Sequence, residues 1–250
     1  MYKFVISTIK NVFIYTLFSY TIYLSESMPF IFCMYFLKKN ISKDIKVFFI
    51  YTVMLFISIV AVLLFRYIFK SYPTYLLFYR FFIVIEFVLI SYFFYKNLFQ
   101  DKLRSLIPLL IVLFIVFSFY DYFSSLNKNF TYYPLVLECL LFPLIIILFF
   151  YEKMKYNTRF PIYLSPSFWI AVGFLIFSTG NFFLFLFSKL LLQNLDNKHI
   201  YNNIYGFFTI LKNIFLCTAI IVSKNSQTKN EQSNFNIDLE FETPNTSTIH

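Results

Sequence analysis

The sequence predicts an all-α membrane protein, a polytopic bundle of seven transmembrane helices. Hydrophobic residues make up 60% of the 250-residue chain, and charged residues make up 13%. Its 39 phenylalanines and 21 tyrosines are more than the interior of a soluble fold of this size holds, because much of a small fold's surface stays exposed. The apolar residues also form long runs, and about 20 of them suffice for a helix to cross a bilayer. The predicted location is therefore the cell membrane, with several crossings and the lipid bilayer as surroundings.

The apolar runs are separated by short charged segments or prolines, which mark the predicted ends of the spans. The seven spans are residues 11–37, 47–65, 74–95, 105–123, 131–151, 166–192 and 200–223, which form one transmembrane domain over residues 1–223. The first run is longer than a crossing requires, so this helix either tilts or begins near Leu17. Residues 224–250 are rich in Asn, Ser, Thr and Gln with few apolar residues, and this composition predicts a disordered polar tail in the cytoplasm.

The basic residues predict the orientation of the bundle. Ten lysines and arginines follow spans one, three and five, whereas five follow spans two, four and six. Cytoplasmic loops carry the excess of Lys and Arg, so the N-terminus is expected outside and the C-terminus inside. The net charge of +9 is spread over these short segments, whereas a nucleic-acid surface requires basic residues on one face. No nucleic-acid partner is therefore expected.

The last span carries a polar stripe. Its polar or small residues recur at helical spacing, while the opposite face is apolar. A helix of this kind turns its polar stripe toward the other helices of a bundle and its apolar face toward lipid. The stripe consists of Asn202, Tyr205, Gly206, Thr209, Lys212 and Asn213.

Four ionisable residues lie in the middle part of predicted spans, where a charge is costly and marks a functional candidate. They are Glu26, Glu86, Glu138 and Lys212. At 1.5 Å per residue, Glu86 lies roughly 18 Å and Lys212 roughly 18–20 Å below the outer ends of their spans, whereas Glu138 lies at about 10 Å. Glu86 and Lys212 are therefore the pair best matched in depth.

A buried lysine requires a counter-charge, so Lys212 and Glu86 are expected to approach each other. The contact is either direct or made through Asn181, Asn213 or Tyr205. The alternative is that each group is satisfied by its own helix or extends toward the interface. The candidate polar core comprises Glu86, Lys212, Asn181, Asn213, Tyr205 and Thr209, with Glu26 and Glu138 as secondary candidates.

No motif of nucleophilic, phosphate-binding or metal-dependent chemistry occurs in the sequence, which predicts no catalytic, cofactor-binding or metal-binding residue and no cofactor. The sequence favours a protein that is not an enzyme. A lysine near the middle of a seventh helix, such as Lys212, is the kind of residue that binds retinal as a Schiff base. Retinal is disfavoured here because no tryptophan flanks Glu86 and no aspartate lies on the seventh span. An intramembrane enzyme acting on a lipid or isoprenoid (with Glu86, Glu138 and Lys212 as acid and base), a small transporter and a structural subunit stay open.

Three groups of motifs carry a resemblance to a family. They are Tyr79-Arg80, Glu86-Phe87 and Tyr92-Phe93-Phe94-Tyr95; Pro166-Ser167-Phe168-Trp169, Gly173 and Gly180-Asn181; and Asn203-Ile204-Tyr205 and Leu211-Lys212-Asn213-Ile214. Together they resemble uncharacterised bacterial seven-helix membrane proteins, similar in layout to the seven-helix sensor regions of some histidine kinases. The resemblance implies a sensory or signalling module. Because a short polar segment rather than a kinase follows the last span, it also implies a separate cytoplasmic signalling partner.

Overall fold

The computed structural model describes residues 2–36, 45–65, 72–124, 132–156, 161–192 and 195–242. This part of the chain is helical and contains no β-strand, which confirms the all-α prediction for it. A 3₁₀ turn, Ile162–Leu164, precedes the sixth helix. The helices are α1 (Tyr2–Phe36), α2 (Lys46–Leu63), α3 (Tyr72–Asn97), α4 (Asp101–Ser124), α5 (Tyr133–Lys155), α6 (Pro166–Leu186), α7 (Ser188–Leu191) and α8 (Leu195–Glu242).

Six of the described helices are long and apolar enough to cross a membrane: α2, α3, α4, α5, α6 and α8. This is the make-up of a multi-pass membrane protein, as the sequence predicted. The predicted first span falls on α1, which is helical over 35 residues but is not among the six. Serines, threonines, tyrosines and Glu26 interrupt the apolar residues of α1 and lower its hydropathy.

Several helix boundaries differ from the predicted ones, those of the last two spans among them. The sixth predicted span, 166–192, is divided, because α6 ends at Leu186 and Phe187 separates it from the short α7. The last helix continues past the predicted end at Ser223 as far as Glu242, while residues 243–250 of the predicted tail lie outside the described residues. Several basic residues used for the predicted orientation also lie outside them: Lys38, Lys39, Lys43, Arg66, Lys70, Lys128 and Arg159.

The long helices form a closed ring with one helix outside it. Around the ring, α1 contacts α2, α2 contacts α3, α3 contacts α5, α5 contacts α6, and α6 contacts α8. The last helix, α8, packs against α1 and so closes the ring. The fourth helix lies against α3 and α5 on the outside of this ring. Few of its side chains are buried, among them Ile107 and Phe114. The ring therefore defines an interior to which six helices contribute.

Glycines let the last helix approach its neighbours closely. A Cβ atom on Gly173 of α6 would lie 3.1 Å from Phe215 Cβ and 3.2 Å from the carbonyl oxygen of Lys212. A side chain on Gly206 would meet Ile22 and Phe18 of α1. Small residues permit such backbone approach between membrane helices. The backbone at Lys212 is thus held directly against α6.

Candidate functional site

The polar stripe of the last helix faces the interior of the ring. Thr209, Lys212 and Asn213 are 1%, 4% and 1% exposed, whereas the apolar Phe207 and Ile214 are 59% and 55% exposed. This pattern is the reverse of that on a water-soluble helix and is typical of a helix surrounded partly by lipid. The stripe was predicted to face inward, and its central residues do. Its first residue, Asn202, is exposed.

Lys212 and Glu86 form a buried ion pair. The ammonium Nζ lies 3.4 Å from Glu86 Oε1, the direct contact that their matched depths predicted. The hydroxyl of Tyr51 donates a hydrogen bond of 2.9 Å to the same carboxylate oxygen, and Lys212 Nζ lies 3.4 Å from the Tyr51 oxygen. Three side chains from α2, α3 and α8 thus meet at one point, which we name the ion-pair triad. Its opposite charges and its hydrogen bonds offset the cost of removing them from water.

Aromatic rings of α6 surround the ammonium group on another side. Lys212 Nζ lies 4.3 Å from the ring centroid of Phe177 and 5.3 Å from that of Phe174. A cation is attracted by the negative face of an aromatic ring, and more strongly where water is excluded. The lysine is therefore held by four helices: α2, α3 and α6 supply its partners, and α8 carries it.

The polar amides of the predicted core do not bridge the ion pair. Asn181 Nδ2 donates to the carbonyl oxygen of Phe177 at 2.9 Å, within its own helix. Asn213 Nδ2 donates to Ser25 Oγ of α1 at 3.2 Å. Of the two forms of contact expected between Glu86 and Lys212, direct or bridged, the structure therefore has the direct one, because the two groups are close enough to meet.

The remaining core residues have local roles in the described structure. The hydroxyl of Thr209 donates to the carbonyl oxygen of Tyr205 at 2.8 Å, one turn back along α8. The ring of Tyr205 packs against Phe177 and Phe185 of α6. Asn181 and Asn213 each have a buried Oδ1 atom with no hydrogen-bond partner in the described part of the chain. Thr209 and Tyr205 thus belong to the α6–α8 contact, beside the ion-pair triad.

A cavity of about 560 Å³ has the ion pair in its wall. Its wall brings together four ionisable residues of the sequence prediction: Glu26 of α1, Glu86 of α3, Glu138 of α5 and Lys212 of α8. The side chain of Glu138 is 4% exposed, and its Oε1 atom has no hydrogen-bond partner among the described residues. The two secondary candidates are therefore part of the same site as the ion pair, on opposite helices of the ring.

The cavity lies toward one end of the ring. Its lining residues come from the beginnings of α3, α5 and α8 and from the second halves of α2 and α6. By the orientation that the sequence predicts, this is the outer end. All six ring helices contribute to the lining, and the outlying helix α4 does not.

Aromatic side chains fill the ring on the other side of the ion pair. Five of them form a chain of contacts across the bundle, each from a different helix, with ring centroids 4.2–5.6 Å apart. We name this chain the aromatic layer: Tyr51 of α2, Phe174 of α6, Phe142 of α5, Phe87 of α3 and Phe114 of α4. All five are at most 1% exposed, and none of them lines the cavity, so they form a packed layer apart from it in the described structure.

Sequence reasoning missed Tyr51, although a signal for it exists. The chain has 21 tyrosines, and the second span carries no charge, so nothing in its hydropathy marks this one. Its depth in the bundle does mark it. Helix α2 begins at Lys46, so Tyr51 lies roughly 7 Å from the first residue of that helix. Its long side chain then reaches the level of Glu86. The comparison of depths that matched Glu86 with Lys212 would therefore have added Tyr51 to the candidate residues.

Two further buried acids were also missed. Glu152 was assigned to the linker after the fifth span, but it lies in the last turn of α5 and is 0% exposed. Its two carboxylate oxygens accept hydrogen bonds from the backbone N–H groups of Phe99 and Gln100, at 2.6 and 2.9 Å. Asp121 near the end of α4 is buried as well. The carboxylate of Glu152 holds the turn before α4, so its role is structural.

The fold and the site together define a multi-pass helical membrane protein with a charged centre buried among its helices. In comparisons with protein-family models, characterised proteins and solved structures, none matches this chain. Its function is therefore argued from the site.

Proposed function

We propose that the chain is a seven-span sensory or signalling module of the cell membrane, with the cavity as its ligand-binding site. The observation that carries this proposal is a cavity of about 560 Å³ whose floor is an ion pair joining three helices. That volume is in the range of sites for small molecules. A ligand that binds more tightly to one arrangement of these helices shifts the equilibrium between arrangements, which is the physical basis of sensing.

The proposed topology has α1 as the first of seven spans, an external N-terminus and a cytoplasmic C-terminus. Its support is the length of α1, its packing against α2 and α8, and the basic residues at the end opposite the cavity, among them Lys96, Arg104 and Lys153. Fusions of a reporter active only in the cytoplasm, one at each terminus, are expected to be active at the C-terminus alone. Activity at both termini would mean an even number of crossings and would refute this topology.

The aromatic layer favours a sensor over a transporter. A transporter requires a path that alternately opens to both sides of the membrane. Here five buried rings contributed by five helices pack together across the bundle, and opening a path through them would require several helices to separate. The ion-pair triad also disfavours the enzyme alternative, because Glu86 already accepts from Tyr51 and faces Lys212.

The single tryptophan of the chain is a built-in reporter of the α6–α8 contact. Trp169 of α6 stacks on Phe215 of α8, with ring centroids 6.0 Å apart, and its Nε1 donates to the carbonyl oxygen of Tyr163 at 2.8 Å. Phe215 lies one helical turn beyond Lys212 on the side away from the cavity. A ligand that moves Lys212 therefore changes the surroundings of the indole ring without touching it.

Tryptophan fluorescence of the full chain in lipid nanodiscs tests the proposal. The compounds are choline, benzyltrimethylammonium, benzoate and the neutral carbon isostere of choline. We expect at least one to shift the emission of Trp169 saturably, and no compound to accumulate in proteoliposomes that contain the protein. Accumulation would establish transport instead, and an emission unchanged by every compound would refute the sensory proposal.

A further inference from the structure

The charges that line the cavity do not balance. Its described wall contains the carboxyl groups of Glu26, Glu86 and Glu138, one lysine and one histidine, His199. Lys212 is engaged by Glu86 and Tyr51 on the floor. Glu26 and Glu138 therefore add two carboxyl groups to a cavity whose one ammonium group is already in use.

Of these two acids, Glu138 gives the stronger indication of a ligand. Glu138 is only 4% exposed, and its Oε1 atom has no hydrogen-bond partner in the described part of the chain. A buried carboxylate without a partner loses the stabilisation that water would give it. A bundle in lipid carries such a group at a cost, and a cationic ligand would recover that cost by supplying the missing charge.

The rest of the wall is suited to an organic cation. Tyrosines from α1, α3 and α8, and one from the residue just before α5, line the cavity beside phenylalanines from the same bundle. Their ring faces attract alkylammonium groups, and their apolar edges accommodate the attached carbon chain. The tyrosines of the wall are Tyr20, Tyr23, Tyr79, Tyr132, Tyr201 and Tyr205.

The arrangement of acids disfavours a metal ion as the occupant. No group of three or more His, Cys, Asp or Glu side chains in the described residues is close enough to hold one. Calcium and magnesium sites require several oxygen ligands that converge on one point. The acids of this cavity instead stand on different helices around a space of about 560 Å³, which is larger than an ion occupies.

We propose that the cavity binds a small organic cation, a primary amine or a quaternary ammonium compound, with Glu138 as its counter-charge and the tyrosines as its walls. The inference rests on the proposed function, because it names the ligand class of the same cavity. Glu26, from the opposite side of the ring, supplies a second carboxyl group to the wall.

Equilibrium binding to the purified full chain in nanodiscs tests this assignment. The probes are tetramethylammonium, choline and benzyltrimethylammonium, together with the isostere of choline in which a tert-butyl group replaces the trimethylammonium group. We expect at least one cation to bind and choline to bind more tightly than its neutral isostere. Replacing the paired carboxylate should weaken cation binding about 10–100-fold, so we expect this loss for Glu138→Gln.

Two variants control this experiment. Asp101→Asn removes an exposed carboxylate outside the cavity and should leave cation binding unchanged. Glu26→Gln removes the second acid of the cavity and should weaken binding less than Glu138→Gln. Because Glu138→Gln removes a buried carboxyl group whose Oε1 atom has no hydrogen-bond partner among the described residues, we expect the variant to fold at least as well as the wild type. Resistance to unfolding in detergent checks this.

The outcomes separate this inference from the proposed function. Equal binding of choline and its neutral isostere, wild-type affinity in Glu138→Gln, or no binding of any of the three cations would each overturn the assignment. If Trp169 emission then responds to benzoate or to the neutral compound, the sensory function stands with another ligand class. Glu138-dependent cation binding without any change in Trp169 emission would instead refute the sensory function and leave the binding site established.

Discussion

Glu86→Gln is expected to destabilise the bundle by about 3 kcal/mol, because it leaves the buried ammonium of Lys212 without its counter-charge. The substitution keeps the shape of the side chain and an oxygen that can accept from Tyr51, so it isolates the loss of charge. The contacts of Lys212 with the rings of Phe174 and Phe177 offset part of this loss. The measurement is the free energy of unfolding in lipid bicelles, by steric trapping.

A double-mutant cycle controls this prediction. Lys212→Met leaves Glu86 buried without its cation and should also be destabilised, whereas the double variant carries no unpaired charge. We expect the double variant to be more stable than the sum of the two single effects implies, by about 2 kcal/mol or more. Additive effects would mean that the two groups do not interact, despite the 3.4 Å between Lys212 Nζ and Glu86 Oε1.

Glu152→Ala is expected to lower the free energy of unfolding by about 2–4 kcal/mol, by leaving two backbone donors unsatisfied. The N–H groups of Phe99 and Gln100 donate to the carboxylate at 2.6 and 2.9 Å, and Glu152 is 0% exposed. Hydrogen bonds to a charged acceptor are stronger than those between neutral groups. The loss is measured by the same steric-trapping assay, at the end of the bundle away from the cavity.

Glu152→Gln provides the matched comparison, since its amide keeps one acceptor oxygen and presents an NH₂ group to the other donor. We expect its stability to fall between those of Glu152→Ala and the wild type. Cation binding by the folded protein should be unaffected in both variants, because Glu152 does not line the cavity. A wild-type free energy of unfolding in Glu152→Ala would contradict the capping role.

The fold class and the central contact could be predicted from the sequence because each rests on a one-dimensional signal. Long apolar runs give helices that cross a bilayer, and the rise per residue gives depth, which paired Glu86 with Lys212. Tyr51 and Glu152 were not predicted as important. Hydropathy does not distinguish one tyrosine from the others, and an acid beside lysines reads as part of a loop. Each of the two matters because of a partner elsewhere in the fold, which for Glu152 is the turn at Phe99.

The cavity could be predicted only in part. The sequence placed Glu26 and Glu138 among the candidates, because both are acids within apolar runs. That Glu138 lines the cavity, and that its Oε1 atom has no hydrogen-bond partner among the described residues, depends on how the ring closes around it, and no spacing within α5 encodes this. The order of helices in the ring, with α4 outside and α8 against α1, likewise depends on packing between distant segments.

The closure of the ring has a consequence for biogenesis. Asn213 of the last helix bonds to Ser25 of the first, which lies 188 residues earlier in the chain. Helices enter the membrane in order of synthesis, so the carboxyl groups of Glu86 and Glu138 reach the bilayer before Lys212 exists to pair with either of them. Nascent chains should therefore keep a hydrated, loosely assembled intermediate until α8 is inserted, and a chaperone that shields acidic helices would speed the maturation of this protein.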